Sequence, residues 1–449
     1  MKAPRIMIAG TKSGSGKTVL TCALLKTLLR KKIPVRSFKC GPDFIDPMFH
    51  REVIGVPSRN LDLFFTDEGM TRALFLEGLQ NEISVIEGVM GLYDGISLQN
   101  DLRSSYHVAR VTQTPIILVV DAHGVGRSIL AHLAGFLAFD QAHLIKGVIL
   151  NRISPMYYAK IKPVIEAALE VKVLGCLPKQ NEFILDSRHL GLALPAHIND
   201  LQDKLFGLSE AFMEWVDLEL LLSIASDTTQ LLGEMPEYER EKEPLRIGVA
   251  KDEAFCFYYE DNLRLLEKMG ATLCEFSPLH DRKLPDNLQG LLLGGGYPEL
   301  MAKELSENKA MRTSMQRMLA NKLPSLAECG GFLYLQESLT DLEGMTYPMV
   351  GVVKAHAKNE GRLVRFGYID ITSKGDIPAI RGHEFHYYES SDNGEGAYAL
   401  RPSSEKGWNC AHVGEEKWWG FPHLYYYSNP AFVRWFLKAA KKYQENQRV

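Results

Sequence analysis

The first half of the chain alternates short apolar runs, rich in β-branched residues, with longer stretches of helical composition. The apolar runs predict strands at 5–10, in a segment ending at Lys39, and at 84–88, 115–122 and 147–152. Two of the intervening stretches, 17–30 and 124–138, are predicted helices. Strands that are apolar on both faces and alternate with helices are typical of a parallel sheet covered on both sides. Right-handed crossovers bring the carboxyl ends of such strands to one edge, where ligands bind.

The pattern changes between residues 226 and 244, which are polar, rich in charge and closed by Pro244. We interpret 226–244 as a linker between a domain over 1–225 and a domain over 245–449. The second domain has its own alternation, with predicted strands at 246–252, 272–276, 290–296 and 324–331 and a helical stretch at 301–321. After residue 345, glycine, histidine and aromatic residues become frequent, which favours antiparallel strands. The predicted fold class is therefore α/β, with two α/β domains, each built on its own parallel sheet.

Composition, net charge and cysteine spacing argue against several classes of protein. A chain of 449 residues exceeds the usual size of a single core, and 46% hydrophobic and 24% charged residues are typical of a folded globular protein. The net charge of -4 and the lack of a long basic run give no reason to expect nucleic acid as a partner. No apolar run reaches the roughly 18 residues that span a bilayer, and no cleavable signal pattern begins the chain, so we expect a cytoplasmic protein that is not held in a membrane. The seven cysteines are scattered and form no C-x-x-C pair, which argues against a disulfide framework or a zinc site.

A glycine-rich loop joins the first predicted strand to the first predicted helix. Its residues after Gly10 are Thr11, Lys12, Ser13, Gly14, Ser15, Gly16, Lys17 and Thr18. Glycines and a helix N-terminus present backbone N–H groups to phosphate, a lysine at position 17 can reach the outer phosphates, and the hydroxyl at position 18 can ligate Mg²⁺. The loop departs from the usual spacing, because a threonine stands where the first glycine is expected. Lys12 has the spacing of a second lysine found in nucleotide switches that sandwich ATP in a dimer; an exposed basic loop residue is the alternative.

Carboxylates recur near the carboxyl ends of the predicted strands. They are Asp43, Asp46, Glu87, Asp94 and Asp121. Phosphoryl transfer needs anionic ligands that hold Mg²⁺ against the phosphates. Glu87 closes a buried apolar run, where an unpaired carboxylate is costly, so we expect a metal or a hydrogen-bond partner there. Asp94 and Asp121 have simpler alternatives, as a turn residue and as a helix cap.

A second chemical centre is predicted around Cys329, which follows a predicted strand and precedes Gly330. A sharp turn at a helix N-terminus favours the thiolate and leaves backbone N–H groups to bind an oxyanion. The triglycine segment 294–296 can aim another N–H into the same pocket, although a tight strand-to-helix connection would explain it equally. A thiol nucleophile needs a base, and spacing does not rank the four candidates His383, His386, His412 and His423.

These motifs resemble the cobyrinate a,c-diamide synthase family. The blocks KCGPDFIDPMFH, VIEGVMGLYDG and SRHLGL resemble its synthetase half, and LLGGGYPEL, AECGGFLYL and RGHEFHYYE resemble its glutamine amidotransferase half. The resemblance runs in order over nearly the whole chain. It implies a dethiobiotin-synthetase-like P-loop domain fused to a class I, triad-type glutamine amidotransferase domain.

The resemblance implies a reaction and its cofactors. ATP would activate the c and then the a acetate of a corrinoid, and ammonia from L-glutamine would convert each acyl phosphate to an amide. By the same resemblance, residues 11–18 and Asn151 would bind ATP, and Thr18, Asp43 and Glu87 would hold Mg²⁺. Asp46, Asp94 and His189 would lie near the tetrapyrrole carboxylate and the acyl phosphate. A homodimer is left open.

For the second domain, the resemblance implies Cys329 as nucleophile, the backbone at Gly296 and Gly330 as oxyanion donors, and His423 as base. The chain departs from the family here, because Tyr425 stands two residues after the base, where a carboxylate would complete a triad. What orients His423 therefore stays open. Lys12 is a second departure, at a position where relatives often carry a small or polar residue.

Alternatives stay open at this point. The same chemistry could act on hydrogenobyrinate or nickel sirohydrochlorin, because nothing in the sequence identifies the ring or its metal. A ParA/MinD-like nucleotide switch is suggested by Lys12, although such a switch has no use for a nucleophile domain. The missing carboxylate near His423 suggests a third alternative, a synthetase that has lost its glutaminase and uses external ammonia.

Overall fold

The computed structural model describes residues 3–178, 198–402 and 404–447. The chain divides into two compact units, Met1–Pro236 and Glu237–Val449, and this division falls inside the segment interpreted as a linker. His189 lies outside the described residues. Within those ranges, no helix is both long enough and apolar enough to cross a membrane.

The described part of the first unit is built on a seven-stranded sheet in the order β3-β2-β4-β1-β5-β6-β7. Every neighbouring pair in it is parallel. The strands are β1 (Arg5–Gly10), β2 (Val35–Cys40), β3 (Ser58–Leu61), β4 (Ile83–Glu87), β5 (Ile116–Asp121), β6 (Ile145–Asn151) and β7 (Lys172–Leu177). Because β1 lies between β4 and β5, the glycine-rich loop leaves the sheet at its centre, beside the end of β4 that carries Glu87.

Several helices of the first unit begin at capping side chains. The described helices of this unit are Lys17–Arg30, Ile45–Phe49 with a π-turn over His50–Ile54, Glu68–Leu76, Ser105–Val111, Ile129–Phe139, Pro155–Ala168, Ile198–Trp215 and Leu218–Ser226. At four of these helix starts, a side-chain oxygen accepts the N–H group three residues on: Asp67 from Met70, Ser104 from His107, Ser154 from Tyr157, and Asp217 from Leu220. Each such bond satisfies a backbone donor that the first helical turn leaves without a partner.

Sequence periodicity located most of this unit. The five predicted strands and the helix at 17–30 are confirmed, and the second predicted helix begins at Ile129 instead of 124. Two edge strands, β3 and β7, were not predicted. The reason at β3 is composition: its sequence SRNL is polar, and it is buried because Arg59 pairs with Glu77 and Asn60 donates to the carbonyl of Gly41.

The second unit contains, in the described residues, a ten-stranded sheet in the order β10-β8-β11-β13-β22-β21-β20-β17-β18-β23. The first five strands of this order run parallel, and each later neighbour is antiparallel. The bounds are β8 (Leu245–Ala250), β10 (Ala271–Phe276), β11 (Gly290–Leu293), β13 (Ser325–Glu328), β17 (Arg365–Ser373), β18 (Ile380–His386), β20 (Ala397–Leu400), β21 (Gly407–Gly414), β22 (Lys417–Gly420) and β23 (His423–Leu424). The predicted parallel strands and the antiparallel region after residue 345 are both confirmed.

Two smaller sheets and several helices complete this unit. The smaller sheets are formed by β9 (Phe255–Phe257) with β12 (Gly295–Gly296), and by β14 (Gln336–Thr340), β15 (Thr346–Pro348), β16 (Val353–Asn359) and β19 (Tyr388–Ser390). The helices are Glu260–Lys268, Ala302–Glu307, Lys309–Ala320, Gly330–Leu335 and Pro430–Gln447, with short 3₁₀ turns at Pro298–Met301 and Tyr426–Ser428. The helical stretch predicted at 301–321 is thus two helices, separated at Asn308, whose side chain accepts the N–H of Met311.

The segment interpreted as a linker is tied down at both ends, each end on its own unit. At its start, the Thr228 hydroxyl donates to the carbonyl of Ala3 at 3.1 Å, and Arg5 donates to the carbonyl of Thr229 at 3.0 Å. Near its end, the N–H of Glu241 donates to the carbonyl of Met269 at 3.0 Å, and its carboxylate pairs with Lys441. The polar composition of the segment therefore does not make it unattached.

We predict that Arg5→Met lowers the free energy of unfolding of the first unit by about 2–4 kcal/mol. The Arg5 guanidinium is fully buried and donates to three carbonyls, those of Ala3, Thr112 and Thr229, which the substitution would leave without this donor. Urea unfolding of the full chain, followed by hydrogen exchange of the β1 amides, measures the change. The matched control is Arg246→Met, at an exposed position of β8, and an equal effect of the two substitutions would contradict the prediction.

Candidate active sites

The glycine-rich loop is held in shape by its own backbone and by one side chain from β6. Gly14 and Gly16 have φ of 74° and 98°, in the left-handed region that favours glycine. The Asn151 side chain donates to the carbonyl of Ser15 at 2.8 Å, and a Cβ on Gly16 would lie 2.0 Å from that amide nitrogen. Asn151 therefore positions the loop backbone in this structure, and glycine is required at position 16 both for its φ and for space.

Lys17 extends its ammonium group across the mouth of the loop. Its Nζ donates to the carbonyl of Lys12 at 3.2 Å and to that of Met90 at 2.5 Å. Burial, together with the nearby charge of Lys39, lowers the pKa of Lys17 to about 8. The negative charge of a polyphosphate at this position would stabilise the ammonium form of Lys17, as expected of a lysine in a phosphate-binding loop.

A buried ionic cluster lies directly behind the loop. The Glu87 carboxylate is fully buried and accepts the Thr18 hydroxyl and the Lys39 ammonium, both at 2.7 Å. Lys39 also donates to Asp46. Burial, reinforced by the charge of Asp46, raises the pKa of Glu87 to about 8. The expected polar partner of Glu87 is thus present, and it consists of a hydroxyl and a lysine.

The remaining carboxylates have more local roles in this structure. Asp43 accepts the N–H groups of Ile45 and Asp46 at 2.8 and 3.1 Å, which caps the short helix at Ile45–Phe49, and burial beside Asp46 raises its pKa to about 6. Asp94 is exposed and accepts the N–H of Gly91 at 2.8 Å, as a turn residue does. The negative charge of Asp94 nevertheless lies close enough to favour the protonated form of Lys17.

The Lys12 side chain is exposed to solvent, whereas that of Lys17 is buried. The Lys12 side chain is 64% exposed, and its Nζ lies 3.8 Å from Asp121. The same carboxylate pairs with Arg152 at 3.0 Å, and Arg152 also donates to the carbonyl of Gly14 at 3.0 Å. Sequence reasoning assigned no role to Arg152 or to Lys39. The pairing of Lys39 with Glu87 follows from the parallel register of β2 and β4, which the sequence does not reveal.

The side chains around Thr18 suit magnesium bound together with phosphate. Hydroxyl and carboxylate oxygens are the donors that Mg²⁺ prefers, and Mg²⁺ usually takes one or two protein ligands and completes its shell with phosphate and water. The described residues contain no group of three or more His, Cys, Asp or Glu side chains arranged to hold a metal alone. The Thr18 hydroxyl donates to the Glu87 carboxylate, and this pair fits a Mg²⁺ ion that takes two protein ligands and completes its shell with phosphate and water. Thr18 and Glu87 would hold the ion beside the loop.

Cys329 occupies the sharp turn between β13 and the helix Gly330–Leu335. Its φ of 46° and ψ of -103° are unusual for a residue with a side chain, and its N–H donates to the carbonyl of Gly420 at 2.9 Å. The residue keeps only 9% of its surface exposed. Burial and the charges of Glu299 and Glu384 raise the pKa of the Cys329 thiol above its ordinary value. This direction is opposite to the lowering of the thiol pKa that a helix N-terminus favours, and it agrees with the expectation that the thiol needs a base.

The triglycine segment passes between this turn and one histidine. A Cβ on Gly330 would lie 3.0 Å from the backbone nitrogen of Gly296, and a Cβ on Gly295 would lie 2.4 Å from Cε1 of His423. The turn that carries Cys329 and the His423 imidazole therefore both lie against the triglycine segment, at Gly296 and at Gly295 respectively. The structure thus gathers all four residues that the sequence assigned to this chemistry: Cys329, Gly296, Gly330 and His423.

His423 is the candidate base that contacts the triglycine segment. It is buried, and its pKa lies well below the ordinary range because of burial and of the neighbouring His383 and His386, so the imidazole is neutral. Two of the other three candidates have different ring partners: His386 stacks on Phe421 with centroids 4.0 Å apart, and His412 lies 5.8 Å from Phe332. A neutral buried imidazole can accept a proton from a thiol.

Glu328, which sequence reasoning did not single out, ties the nucleophile strand to the chain around the base. Its carboxylate accepts the N–H of Leu424 at 3.2 Å and the hydroxyl of Tyr426 at 3.3 Å. Burial raises the pKa of Glu328 to about 8. The residue immediately before the nucleophile therefore holds the backbone immediately after His423. A glutamate adjacent to the cysteine was the available signal, but its partners are almost a hundred residues away.

Comparison with known proteins assigns both units. A model of the CobQ/CobB/MinD/ParA nucleotide-binding domain matches residues 6–192, and a model of the CobB/CobQ-like glutamine amidotransferase domain matches residues 246–416. A solved glutamine amidotransferase aligns with 43% of the chain and 98% of its own length, at 17% identity and a TM-score of 0.34, which adds nothing to the assignment.

Full-length relatives extend the match over both units. Proteins named cobyrinate a,c-diamide synthase share 40% identity in Caldanaerobacter subterraneus subsp. tengcongensis (96% of this chain, 97% of that protein) and 38% in Listeria innocua serovar 6a (98% and 100%). One from Synechococcus sp. shares 41% identity over 85% of this chain and 86% of its own. The chain therefore belongs to the cobyrinate a,c-diamide synthase family of glutamine-dependent carbon–nitrogen ligases.

Proposed function

We propose that this chain converts the a and c acetate carboxylates of cobyrinate to amides, using ATP and L-glutamine and passing through acyl phosphates. One observation carries the proposal: a glycine-rich loop with Lys17 and Thr18 lies in one unit, and in the other a strained Cys329 turn and a neutral His423 imidazole both lie against the same triglycine segment. The first is suited to activating an acid, and the second to releasing ammonia. The cytoplasmic location and the homodimer considered from the sequence stay predictions.

The first unit would supply the acyl phosphate. A carboxylate is a poor acyl donor because its leaving group would be oxide, and transfer of the γ-phosphoryl group supplies a better one. The loop N–H groups and Lys17 would hold the phosphates, while Thr18 and Glu87 would hold Mg²⁺, which when bound neutralises the charge of the transferred group. Asp43, Asp46 and Asp94 would lie at the junction of metal, phosphate and substrate.

The second unit would supply ammonia. His423 would accept the proton of Cys329 as the sulfur attacks the carboxamide carbon of glutamine, and the N–H groups of Gly296 and Gly330 would stabilise the oxyanion. The carbon–nitrogen bond then breaks, and His423 returns the proton to the leaving ammonia. Water hydrolyses the thioester to glutamate, and ammonia attacks the acyl phosphate to give the amide and phosphate.

The ring is the part of the proposal that most needs an experiment. The names of the full-length relatives favour cobyrinate over hydrogenobyrinate and nickel sirohydrochlorin. Incubating the full chain with each ring, Mg-ATP and glutamine, followed by mass spectrometry, identifies both the substrate and the number of amides. Two amides on cobyrinate are expected; none on any ring would overturn the proposal and revive the ParA/MinD-like alternative.

Cys329→Ala is expected to abolish glutamine-dependent amidation while leaving amidation from added ammonia largely intact, because only the first route needs the thiol. Product formation with each nitrogen source measures this. Cys274→Ala, a partly buried cysteine of β10, is the matched control and should retain both activities. Wild-type activity of Cys329→Ala with glutamine would remove Cys329 as the nucleophile. Activity of the wild type with ammonia but not with glutamine would support the third alternative raised by the sequence, a synthetase that has lost its glutaminase.

Lys17→Ala should stop amidation from either nitrogen source, because the phosphates lose their buried counter-charge, while glutamine hydrolysis continues. Removal of such a charge-stabilising group costs about 100- to 1,000-fold in rate. Lys31→Ala, an exposed lysine just beyond the other end of the same helix, is the control. Amidation at the wild-type rate by Lys17→Ala would remove the loop from the mechanism.

The pH dependence of the glutaminase should reflect the lowered pKa of His423. The base works only when neutral, so activity is lost as the pH falls through its folded pKa, which lies well below the ordinary value. Glutamine kcat/KM should therefore show no acid limb at the pKa of about 6.5 that is usual for histidine. An acid limb centred at that value, absent with ammonia as nitrogen source, would contradict the environment described for this imidazole.

A further inference from the structure

The residue that completes a triad after the histidine is absent from this chain, so another group must fix the orientation of His423. Tyr425 stands at that position, and its hydroxyl donates to Asp261 at 3.2 Å. The neighbouring carboxylate of Glu328 already accepts the Leu424 amide and the Tyr426 hydroxyl. Both carboxylates thus accept hydrogen bonds from the residues that directly follow His423.

His383 lies directly across the sheet from His423. The two residues are register partners in the antiparallel pair β18–β23, and their rings stack with centroids 5.0 Å apart and planes 23° from parallel. Both side chains are buried. A stacked ring on a strand neighbour restricts rotation of the imidazole about its side-chain bonds, which is the restriction that a triad carboxylate would otherwise impose.

The His383 ring is itself held from behind. The Tyr259 hydroxyl and Nδ1 of His383 are 3.1 Å apart, within hydrogen-bond distance, and the two rings make an edge contact at 6.1 Å. Tyr259 is buried at the start of the helix Glu260–Lys268, so its ring has little room to move. This gives a chain of three buried rings that ends on the candidate base.

Other groups also restrict the position of the His423 ring. A Cβ on Gly295 would lie 2.4 Å from its Cε1, so the glycine backbone closes that edge, and the Phe257 ring lies 6.4 Å away. Burial also keeps both stacked imidazoles uncharged, since it lowers the pKa of His383 to about 3, and two neutral rings stack without like-charge repulsion.

We propose that His383, held by Tyr259, is the positioning residue of the glutaminase, and that its ring takes the orienting role that a carboxylate plays in a triad. This inference rests on the proposed function, because it concerns the geometry of the base that serves Cys329. His386, two residues away on the same strand, stacks on Phe421 and does not provide this contact.

The test compares His383→Ala with His383→Phe in the full-length protein. Misplacing a catalytic group by about an ångström can cost up to about 100-fold in rate, so His383→Ala should lower glutamine kcat by about 10- to 100-fold with little change in KM. His383→Phe keeps a ring in the stack and should restore most of kcat. Amidation from added ammonia should stay at the wild-type level in both variants.

A control separates positioning from loss of packing. Phe436→Ala removes another buried ring from the second unit, in the helix Pro430–Gln447 where the ring lies against Gly290. It should lower Tm without lowering kcat of the folded protein. Tyr259→Phe removes only the hydroxyl that holds His383, and should give a smaller loss of kcat with KM unchanged; this variant decides the question if His383→Ala does not fold.

The outcomes distinguish this inference from the proposed function. If Cys329→Ala keeps glutaminase activity, the proposed function fails. If Cys329→Ala is inactive but His383→Ala has the wild-type kcat, or if His383→Phe is as impaired as His383→Ala, the positioning role is overturned while the proposed function stands. A loss of kcat restored by the phenylalanine ring supports both.

Discussion

Both candidate sites depend on backbone that approaches a side chain more closely than any Cβ would allow. At Gly16, the backbone lies against the Asn151 amide, and at Gly295 it lies against the His423 imidazole, with built Cβ distances of 2.0 and 2.4 Å. In each case the glycine leaves room for a polar side chain that fixes the surrounding loop or ring. Replacing either glycine with a larger residue would force the polar group to move, because such short Cβ contacts are not tolerated in a packed interior.

Much of this arrangement could be predicted from the sequence. Alternating apolar runs gave the parallel sheets, and the order strand, glycine loop, helix located the chemistry around Lys17 and around Cys329, since these patterns are local. The partners of those residues could not be predicted. Lys39 meets Glu87, and Glu328 meets Leu424, through strand register and chain crossings between distant segments, and such contacts leave no local pattern.

The charge states were the other property that the sequence did not reveal. A cysteine at a helix N-terminus suggests a thiolate, yet burial and the carboxylates of Glu299 and Glu384 outweigh the helix here and keep the thiol protonated. Likewise, Glu87 could be expected to have a partner, but whether that partner is a lysine, a hydroxyl or a metal depends on which side chains surround it. The protonation state of a side chain depends on all the charges and the burial around it in the folded protein. A sequence motif therefore predicts which residue is chemically active better than it predicts whether that residue is charged.

These environments have a common consequence for the proposed reaction. In the first unit, burial lowers the pKa of Lys17 to about 8 and raises that of Glu87 to about 8, so each group lies closer to its neutral form than it would in water. In the second unit, the same effect leaves the proton on Cys329 and the His423 imidazole neutral. A polyphosphate with its metal would favour the charged forms of Lys17 and Glu87. Attack of the Cys329 sulfur on the glutamine carbonyl would release the thiol proton to His423. Each site would thus be weakly reactive until its own substrate completes its electrostatics.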